Sequence, residues 1–308
     1  AGAACDAADL QRMCSEFGVE CMRWLFCRKG ATKRTSEGRY VVSLPFKPQY
    51  VIDKGLGFSH EKAQRQFIRN EASLLKKPEL KAIYDGVLSE YEVFGHMVQV
   101  EHDDLDFSNT FYLPHHAVFK PESSSTKVRV VFNASSRSSS GLSLNDILFT
   151  GPVLQNELML LIIRWRFFRY VFNGDIEKMY RQILVQPEES KFQRLVFRYN
   201  PNDDLKVFEL RTVTFGVNCA PFLAIRTLQQ LATDVEEKWP LAAKILRRMM
   251  YVDDALAGTH EVSLAIKARD ELIAALSSAG FSMRKWTSND ERILQGLPSG
   301  HLMNEIFF

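Results

Sequence analysis

Cysteine is scarce in this 308-residue sequence and is unevenly placed. Four of the five cysteines fall within the first 27 residues: Cys5, Cys14, Cys21 and Cys27. Their spacings contain no C-x2-C pair and no histidine at zinc-knuckle distance, which argues against a zinc site. The composition therefore favours free thiols in a reducing compartment.

Excess charge and long apolar runs are also missing. The 39 basic and 37 acidic residues leave a net charge of +2, so any contact with nucleic acid must come from local patches. The most apolar run, residues 158–163, is far shorter than the ~20 residues that cross a bilayer and is followed by arginines, so it predicts an internal helix. With no signal peptide, we expect an intracellular protein, cytoplasmic or nuclear, that is neither secreted nor membrane-bound.

Two adjacent carboxylates, Asp253 and Asp254, lie between short apolar runs. This pattern predicts a β-hairpin with the Asp-Asp pair at its tip. Neighbouring carboxylates repel each other and lose hydration when buried, and such a pair is typical of a divalent-cation site. By itself the dipeptide indicates only a polar turn. Another pair, Asp203-Asp204, lacks apolar flanks and is predicted to be exposed and inert.

A third acid, Asp175, ends an apolar stretch that begins at Tyr170 and predicts a strand. If this strand lies beside the hairpin, three carboxylates meet at one edge of a sheet. Such a set can hold two Mg²⁺ ions roughly 3.5–4 Å apart, with Mn²⁺ as a substitute. Two ions stabilise the attacking and leaving oxygens of an in-line phosphoryl transfer, so the acids together predict nucleotidyl transfer.

A basic ribbon is predicted between residues 111 and 136. Two strand-like stretches flank a serine-rich turn, so Lys120, Lys127 and Arg129 lie near one tip. Basic groups there suit a triphosphate, because arginine binds phosphate oxygens bidentately. An ordinary solvated hairpin explains the same pattern equally well.

The order of elements from residue 170 to residue 286 is strand, helix, strand, hairpin, helix, strand. This order predicts an α+β fold in which an antiparallel sheet is backed by helices on one face. Helices are also predicted over residues 59–75, with Ser59 as the N-cap, and over residues 78–94.

Five short sequence boxes carry a resemblance to a known family. They are Tyr-Leu-Pro-His-His-Ala-Val-Phe-Lys at 112–120, Asp-Ile-Glu-Lys-Met-Tyr at 175–180, Phe-Gly-Val-Asn-Cys-Ala-Pro at 215–221, Tyr-Val-Asp-Asp at 251–254 and Phe-Ser-Met-Arg-Lys-Trp at 281–286. In this order they resemble a reverse transcriptase, and most closely the polymerase of Bel/Pao-type long-terminal-repeat retrotransposons. The resemblance covers about residues 35 to 308 and depends on the boxes together.

The resemblance implies a right-hand polymerase fold with palm and fingers, the thumb being largely absent. Residues 1–34 are then a linker or remnant, residues 35–169 are mainly fingers joined by an inserted part of the later chain, residues 170–290 are the palm, and residues 291–308 begin a truncated thumb-proximal region. The implied activity is RNA-directed DNA polymerisation, in which deoxynucleoside triphosphates are added to a primer 3′-hydroxyl on an RNA or DNA template during retrotransposon replication.

The resemblance also implies which residues bind metal. Asp175, Asp253 and Asp254 would hold two Mg²⁺ ions, with the backbone carbonyl of Ile176 assisting. Lys285 would protonate the departing pyrophosphate as a general acid, a role typically worth 10²–10⁴-fold in rate. The phase of its strand leaves open whether Lys285 or the arginine before it faces the site.

A second group of residues would contact the incoming nucleotide: Lys120, Lys127, Arg129, Tyr180, Phe215 and Gly216. The basic members resemble the fingertip residues that hold its phosphates. Tyr180 would exclude a 2′-hydroxyl by steric clash and so favour deoxynucleotides. Gly216 would let the backbone approach a ligand closely. Phe215 stands where retroviral enzymes carry glutamine, so stacking or packing would replace a hydrogen bond.

Two other functions fit the same boxes. A non-catalytic remnant would fold and bind nucleic acid but could not hold a primer without a thumb. Asn133 favours this hypothesis, since related elements more often carry an acid there, whereas retention of all the metal carboxylates argues against it. A viral RNA-templated RNA polymerase is the third hypothesis, and Tyr180 disfavours it.

Overall fold

The computed structural model describes residues 32–50, 55–101, 109–119 and 128–303. Their strands are β1 (Thr32–Arg34), β2 (Tyr40–Val42), β3 (Met97–Gln99), β4 (His115–Phe119), β5 (Val128–Phe132), β6 (Tyr170–Ile176), β7 (Leu184–Val185), β8 (Arg194–Phe197), β9 (Lys206–Leu210), β10 (Met250–Tyr251), β11 (Asp254–Thr259) and β12 (Met283–Ser288).

The α-helices are α1 (His60–Leu75), α2 (Pro78–Val93), α3 (Leu144–Ile147), α4 (Leu158–Arg166), α5 (Met179–Gln182), α6 (Ala220–Val235), α7 (Pro240–Arg248), α8 (Val262–Ser277) and α9 (Glu291–Leu294). Short 3-10 segments occur at Pro48–Tyr50, Pro187–Gln193 and Ser299–His301. None of the helices in these described ranges is both long and apolar enough to cross a bilayer.

The chain divides into two compact units, each assembled from segments that are distant in sequence. In the described part of the chain, the first unit combines residues 32–41, 152–183 and 221–303, and the second combines residues 184–220 with the described residues between 42 and 151. Both units mix helices with antiparallel sheets. The chain therefore leaves the first unit twice and returns to it twice.

The sheet of the first unit has four strands in the order β10-β11-β6-β12, and every neighbouring pair is antiparallel. Side chains alternate between its two faces, as the period of a strand requires. One face is lined by small residues such as Gly174, Ala255 and Ala257, which lets α7 and α8 pack closely against it. Phe172 and Trp286 fill the same core with ring centroids 5.9 Å apart, and each buried ring contributes about 1.5–3 kcal/mol.

The second unit contains the three-stranded sheet β3-β9-β8 and the two-stranded ribbon β4-β5, with α1 and α2 packed against them. His115 is buried at the centre of this packing. Its Nε2–H donates to the Val196 carbonyl oxygen (3.0 Å), and its Nδ1 accepts from the Tyr84 hydroxyl. Burial lowers the pKa of His115 to about 4, so the ring is neutral and structural at pH 7.

The prediction of an internal helix at residues 158–163 is half wrong. A helix forms there as α4, but Leu161 is its only buried residue, and Met159 is 69% exposed. Apolar side chains of this helix point to several sides, whereas its main contact with the sheet is made along β11. Hydropathy alone does not distinguish a fully buried helix from one that contacts a sheet along one side.

The predicted capping by Ser59 is also wrong in its detail. Ser59 does precede α1, but its side chain caps no backbone N–H of that helix. Its hydroxyl instead accepts the backbone N–H of Tyr112 at 2.9 Å. This long-range hydrogen bond replaces the local one because Ser59 is buried against the chain leading into β4.

Candidate active site

The predicted acidic hairpin is confirmed as β10 and β11, with Val252 and Asp253 in the turn and Tyr251 paired with Asp254. Val252 has φ 54°, in the left-handed region. A β-branched residue there costs roughly 1–2 kcal/mol. The Gln155 side-chain oxygen accepts the Val252 backbone N–H at 3.2 Å and helps to hold the strained turn.

The predicted strand at Asp175 is confirmed as β6, which lies directly beside the hairpin. In the antiparallel register of β6 and β11, Asp175 is opposite Asp254. Residues opposite each other have Cβ atoms about 4.5–5.5 Å apart, so the two carboxylates share one face. The Ile176 backbone N–H donates to the Asp253 carbonyl oxygen at 2.8 Å, which fixes the turn against the end of β6. All three acids meet at one edge of the sheet, where β6 ends and β11 begins.

The electrostatics of this edge follow from loss of hydration and, after it, from crowding of like charges. Loss of hydration, followed by the charges of Asp253 and Asp175, raises the pKa of Asp254 to about 6, although its side chain is exposed. Burial and the Asp175 charge raise the pKa of Asp253 as well. Burial, with the Asp253 charge, raises the pKa of Tyr180, so its hydroxyl stays protonated beside the acids. A positive charge entering this edge would be strongly favoured.

One positive charge is already there, since the Lys285 ammonium lies 2.6 Å from Asp175 Oδ2. The neighbouring Arg284 guanidinium binds Glu177, with Nε donating to Oε2 at 2.9 Å. Both basic residues of β12 therefore contact acids at the end of β6. They can do so because the β6–β12 register shifts between Arg284 and Thr287, with Lys285 at φ 53° in this irregularity. Hydrogen bonding to Asp175 raises the pKa of Lys285.

The donor set fits a hard divalent cation, because carboxylate oxygens are the ligands such ions prefer. The side chains as they stand are arranged differently. Within residues 32–50, 55–101, 109–119 and 128–303, no group of three acidic, histidine or cysteine side chains is placed to hold a metal ion. Asp175 is instead paired with Lys285. The metal-ligand roles of the three acids and of the Ile176 carbonyl remain predictions.

Backbone strain is concentrated around these acids. In the described part of the chain, the non-glycine residues with positive φ are Lys178, Val252 and Lys285. One follows Asp175 by three positions, one precedes Asp253, and one contacts Asp175. Strain of this kind persists only where surrounding contacts enforce it, and it clusters at functional sites.

Tyr180 lies on α5, the short helix that follows Asp175, and is 8% exposed. The half-buried guanidinium of Arg39 donates to the carbonyl oxygens of Arg181 (3.1 Å) and Gln182 (3.2 Å). These are carbonyls at the C-terminal end of α5, which lack partners within a helix of this length. Arg39 thus holds the element that carries Tyr180.

The other predicted nucleotide contacts belong to the second unit. Arg129 is exposed on β5, opposite Val118. Phe215 is 52% exposed. Gly216 has φ 98°, and a Cβ there would lie 2.0 Å from the Phe132 carbonyl oxygen. The close approach that requires this glycine is therefore to the chain's own backbone. Lys120 and Lys127 lie outside the described residues.

Sequence reasoning missed three residues that organise the site: Gln155, Glu177 and Arg39. Glu177 lies two positions after Asp175, but β6 ends at Ile176, so the alternation of a strand does not reach it. Gln155 and Arg39 carried no local signal, because each acts on backbone atoms about 100 or more positions away in the chain.

Two comparisons with known proteins identified no relative. No protein-family model matches the chain, and a search of curated proteins found no significant match.

Proposed function

We propose that this chain is the palm and fingers of an RNA-directed DNA polymerase of the Bel/Pao retrotransposon type. The observation that carries the proposal is the register of β6 against β11, which sets Asp175 opposite Asp254 with Asp253 at the adjoining turn. The first unit would be the palm, since its four-stranded antiparallel sheet bears the acids on one face. The second unit would be the fingers, since it contains the β4-β5 ribbon.

In this proposal Asp175, Asp253 and Asp254 hold divalent ions at the edge of the sheet. When bound, two such ions stabilise the charge on the attacking and leaving oxygens of a phosphoryl transfer. The chain's own contribution is to hold three repelling carboxylates together, which the strained turn at Val252 and the pairing of β6 with β11 accomplish.

Two further residues would act on the nucleotide. The Lys285 Nζ remains protonated because its pKa is raised, so it can donate a proton to a pyrophosphate leaving group. The ring of Tyr180 would exclude a 2′-hydroxyl by clash, because α5 is held at its C-terminal end and cannot retreat freely.

The test is primer extension on an RNA template with Mg²⁺, using deoxynucleotides and then ribonucleotides. We expect extension with a strong preference for deoxynucleotides, complete loss of extension in Asp175→Asn, and a reduced preference in Tyr180→Val. Tyr199→Val is the matched control, since that tyrosine is partly exposed in the second unit and bonds Glu92. Undiminished extension by Asp175→Asn would contradict the proposed site.

The non-catalytic remnant is the competing function, and the position of Asn133 favours it. Asn133 is exposed, and its side-chain oxygen accepts the Ser135 backbone N–H at 3.1 Å, a turn role that needs no charge. A remnant would bind a template RNA strand in a fluorescence anisotropy titration yet extend no primer under any metal condition. Binding together with extension would exclude it.

A further inference from the structure

The two side chains of the ion pair between Lys285 and Asp175 differ in their exposure to solvent. The Lys285 side chain is 55% exposed, whereas that of Asp175 is only 20% exposed. Asp175 is therefore the partner that has lost more water and has more need of a nearby positive charge. The ammonium supplies that charge at 2.6 Å, on the oxygen Oδ2.

The backbone is shaped to deliver this ammonium. Lys285 has φ 53°, a conformation that a side chain-bearing residue rarely adopts, at the point where the register of β12 shifts. Gly174, which precedes Asp175, makes room for the shift. A Cβ at Gly174 would lie 3.0 Å from Met283 Cε and 3.2 Å from the Arg284 carbonyl oxygen. A strained residue and a tightly packed glycine therefore lie on either side of the same contact.

The adjacent residue provides a comparison within the same strand. Arg284 pairs with Glu177 at 2.9 Å, so two cations bind two acids side by side. Glu177 is 38% exposed and lies beyond the end of β6, away from the register position that Asp175 shares with Asp254. The Arg284 side chain is thus similar in chemistry but forms its ion pair with none of the three acids, although its backbone lies opposite Asp175.

We propose that Lys285 is a built-in counter-cation that occupies Asp175 while the site holds no metal and is displaced when a divalent cation binds. This inference rests on the proposed function, since it takes the three acids as the metal ligands. Lys285 and the divalent ion compete for the same carboxylate oxygen. Displacement also frees the ammonium from Asp175, so that it becomes available to a negatively charged substrate only when the metal site is filled.

If Lys285 competes with the metal ion, its removal should raise the affinity for that ion. Removal of a purely structural ion pair should not. Removing Lys285 leaves the acids uncompensated, so the metal-free protein is destabilised while its affinity for a divalent ion rises. Because the pair is partly exposed, the gain in affinity should be modest, about 3- to 10-fold. By linkage, metal binding must loosen the Lys285 pair by the same factor.

The experiment titrates the chain with Mn²⁺ at pH 8 and measures free Mn²⁺ by electron paramagnetic resonance. It compares the parent, Lys285→Met and Arg284→Met, with Asp253→Asn defining background binding. We expect Lys285→Met to bind Mn²⁺ about 3- to 10-fold more tightly and Arg284→Met to stay within about twofold of the parent. Equal or weaker binding by Lys285→Met would overturn the inference alone. Binding no stronger than background in the parent and in Lys285→Met would overturn the proposed function with it.

A second measurement uses the unmodified chain and so does not depend on the folding of a variant. The rate at which acetic anhydride acetylates Lys285 is followed by mass spectrometry with and without saturating Mg²⁺. Displacement predicts an increase of about 3- to 10-fold at Lys285 and little change at Lys267, which is 68% exposed and pairs loosely with Glu271. An unchanged rate at Lys285 would overturn the inference.

Discussion

Two Asp-Asp pairs, Asp203-Asp204 and Asp253-Asp254, share a dipeptide and a turn but differ in their surroundings. Asp203 and Asp204 are exposed, and their turn is held through the backbone, with Arg198 donating to the Asp203 carbonyl oxygen at 2.9 Å. Asp253 is half-buried and Asp254 is exposed, but both lie beside a third acid, and their pKa values are raised. The comparison teaches that an acidic dipeptide becomes a candidate site only where the fold places another carboxylate beside it.

The largest expected difference between the two pairs is in activity. Asp253→Asn should lower the rate of primer extension by about 10³-fold or more, equivalent to ~4 kcal/mol, because a metal ligand is lost with little change in volume. The matched double variant Asp203→Asn/Asp204→Asn should retain the parental rate within about twofold. Similar losses of extension rate in both variants would show that the two Asp-Asp pairs do not differ in function.

The next difference concerns stability and its dependence on pH. Asp254 has a pKa of about 6 in the folded state against an ordinary value of 3.8, so the folded state binds more protons between these values. Stability should therefore fall as pH rises through this window. Asp254→Asn removes that fall, and at pH 7 it should be more stable than the parent by about 1 kcal/mol after allowance for solvent screening.

The matched variant for this measurement is Asp204→Asn. It should stay within about 0.5 kcal/mol of the parent at both pH 4 and pH 7, because an exposed surface substitution changes little. Urea unfolding of the three proteins at each pH gives the differences directly. An Asp254→Asn variant that loses stability at pH 7 would mean that the acid is compensated rather than crowded.

The smallest difference lies in the backbone of the two turns. Val252 has φ 54°, whereas Asn202, which precedes Asp203, is outside the left-handed region. Val252→Gly should stabilise the fold by about 0.5 kcal/mol, since relief of strain exceeds the added chain entropy. Asn202→Gly should destabilise it by about 0.5–1 kcal/mol. Shifts of the thermal unfolding midpoint in opposite directions would support the difference between the two turns. Shifts in the same direction would contradict it.

Much of the site's framework was predictable because it depends on short-range periodicity. An apolar stretch predicted the strand ending near Asp175, and the apolar flanks predicted the hairpin around Asp253 and Asp254. The polar surroundings of Asp203 and Asp204 likewise predicted exposure. Each of these properties is set by a residue and its neighbours within a few positions.

Other features could not be predicted because they depend on long-range contacts. The hydroxyl of Ser59 bonds Tyr112 rather than its own helix, and α4 is mostly exposed despite its apolar sequence. Gly216 lies against the carbonyl oxygen of Phe132, where a Cβ would clash. In each case the deciding partner is an atom or surface that the local sequence does not specify.

The sequence by itself determined which strands form and which acids they carry, since period 2 assigns each side chain to a face once the strand exists. Only the tertiary structure decided that Lys285 contacts Asp175 while Arg284 contacts Glu177. The direction of these side chains depends on a positive φ and a register shift in β12, which the missing Cβ of Gly174 on the neighbouring strand allows. A strand pattern predicts alternation, and a bulge that breaks alternation is specified by the partner strand.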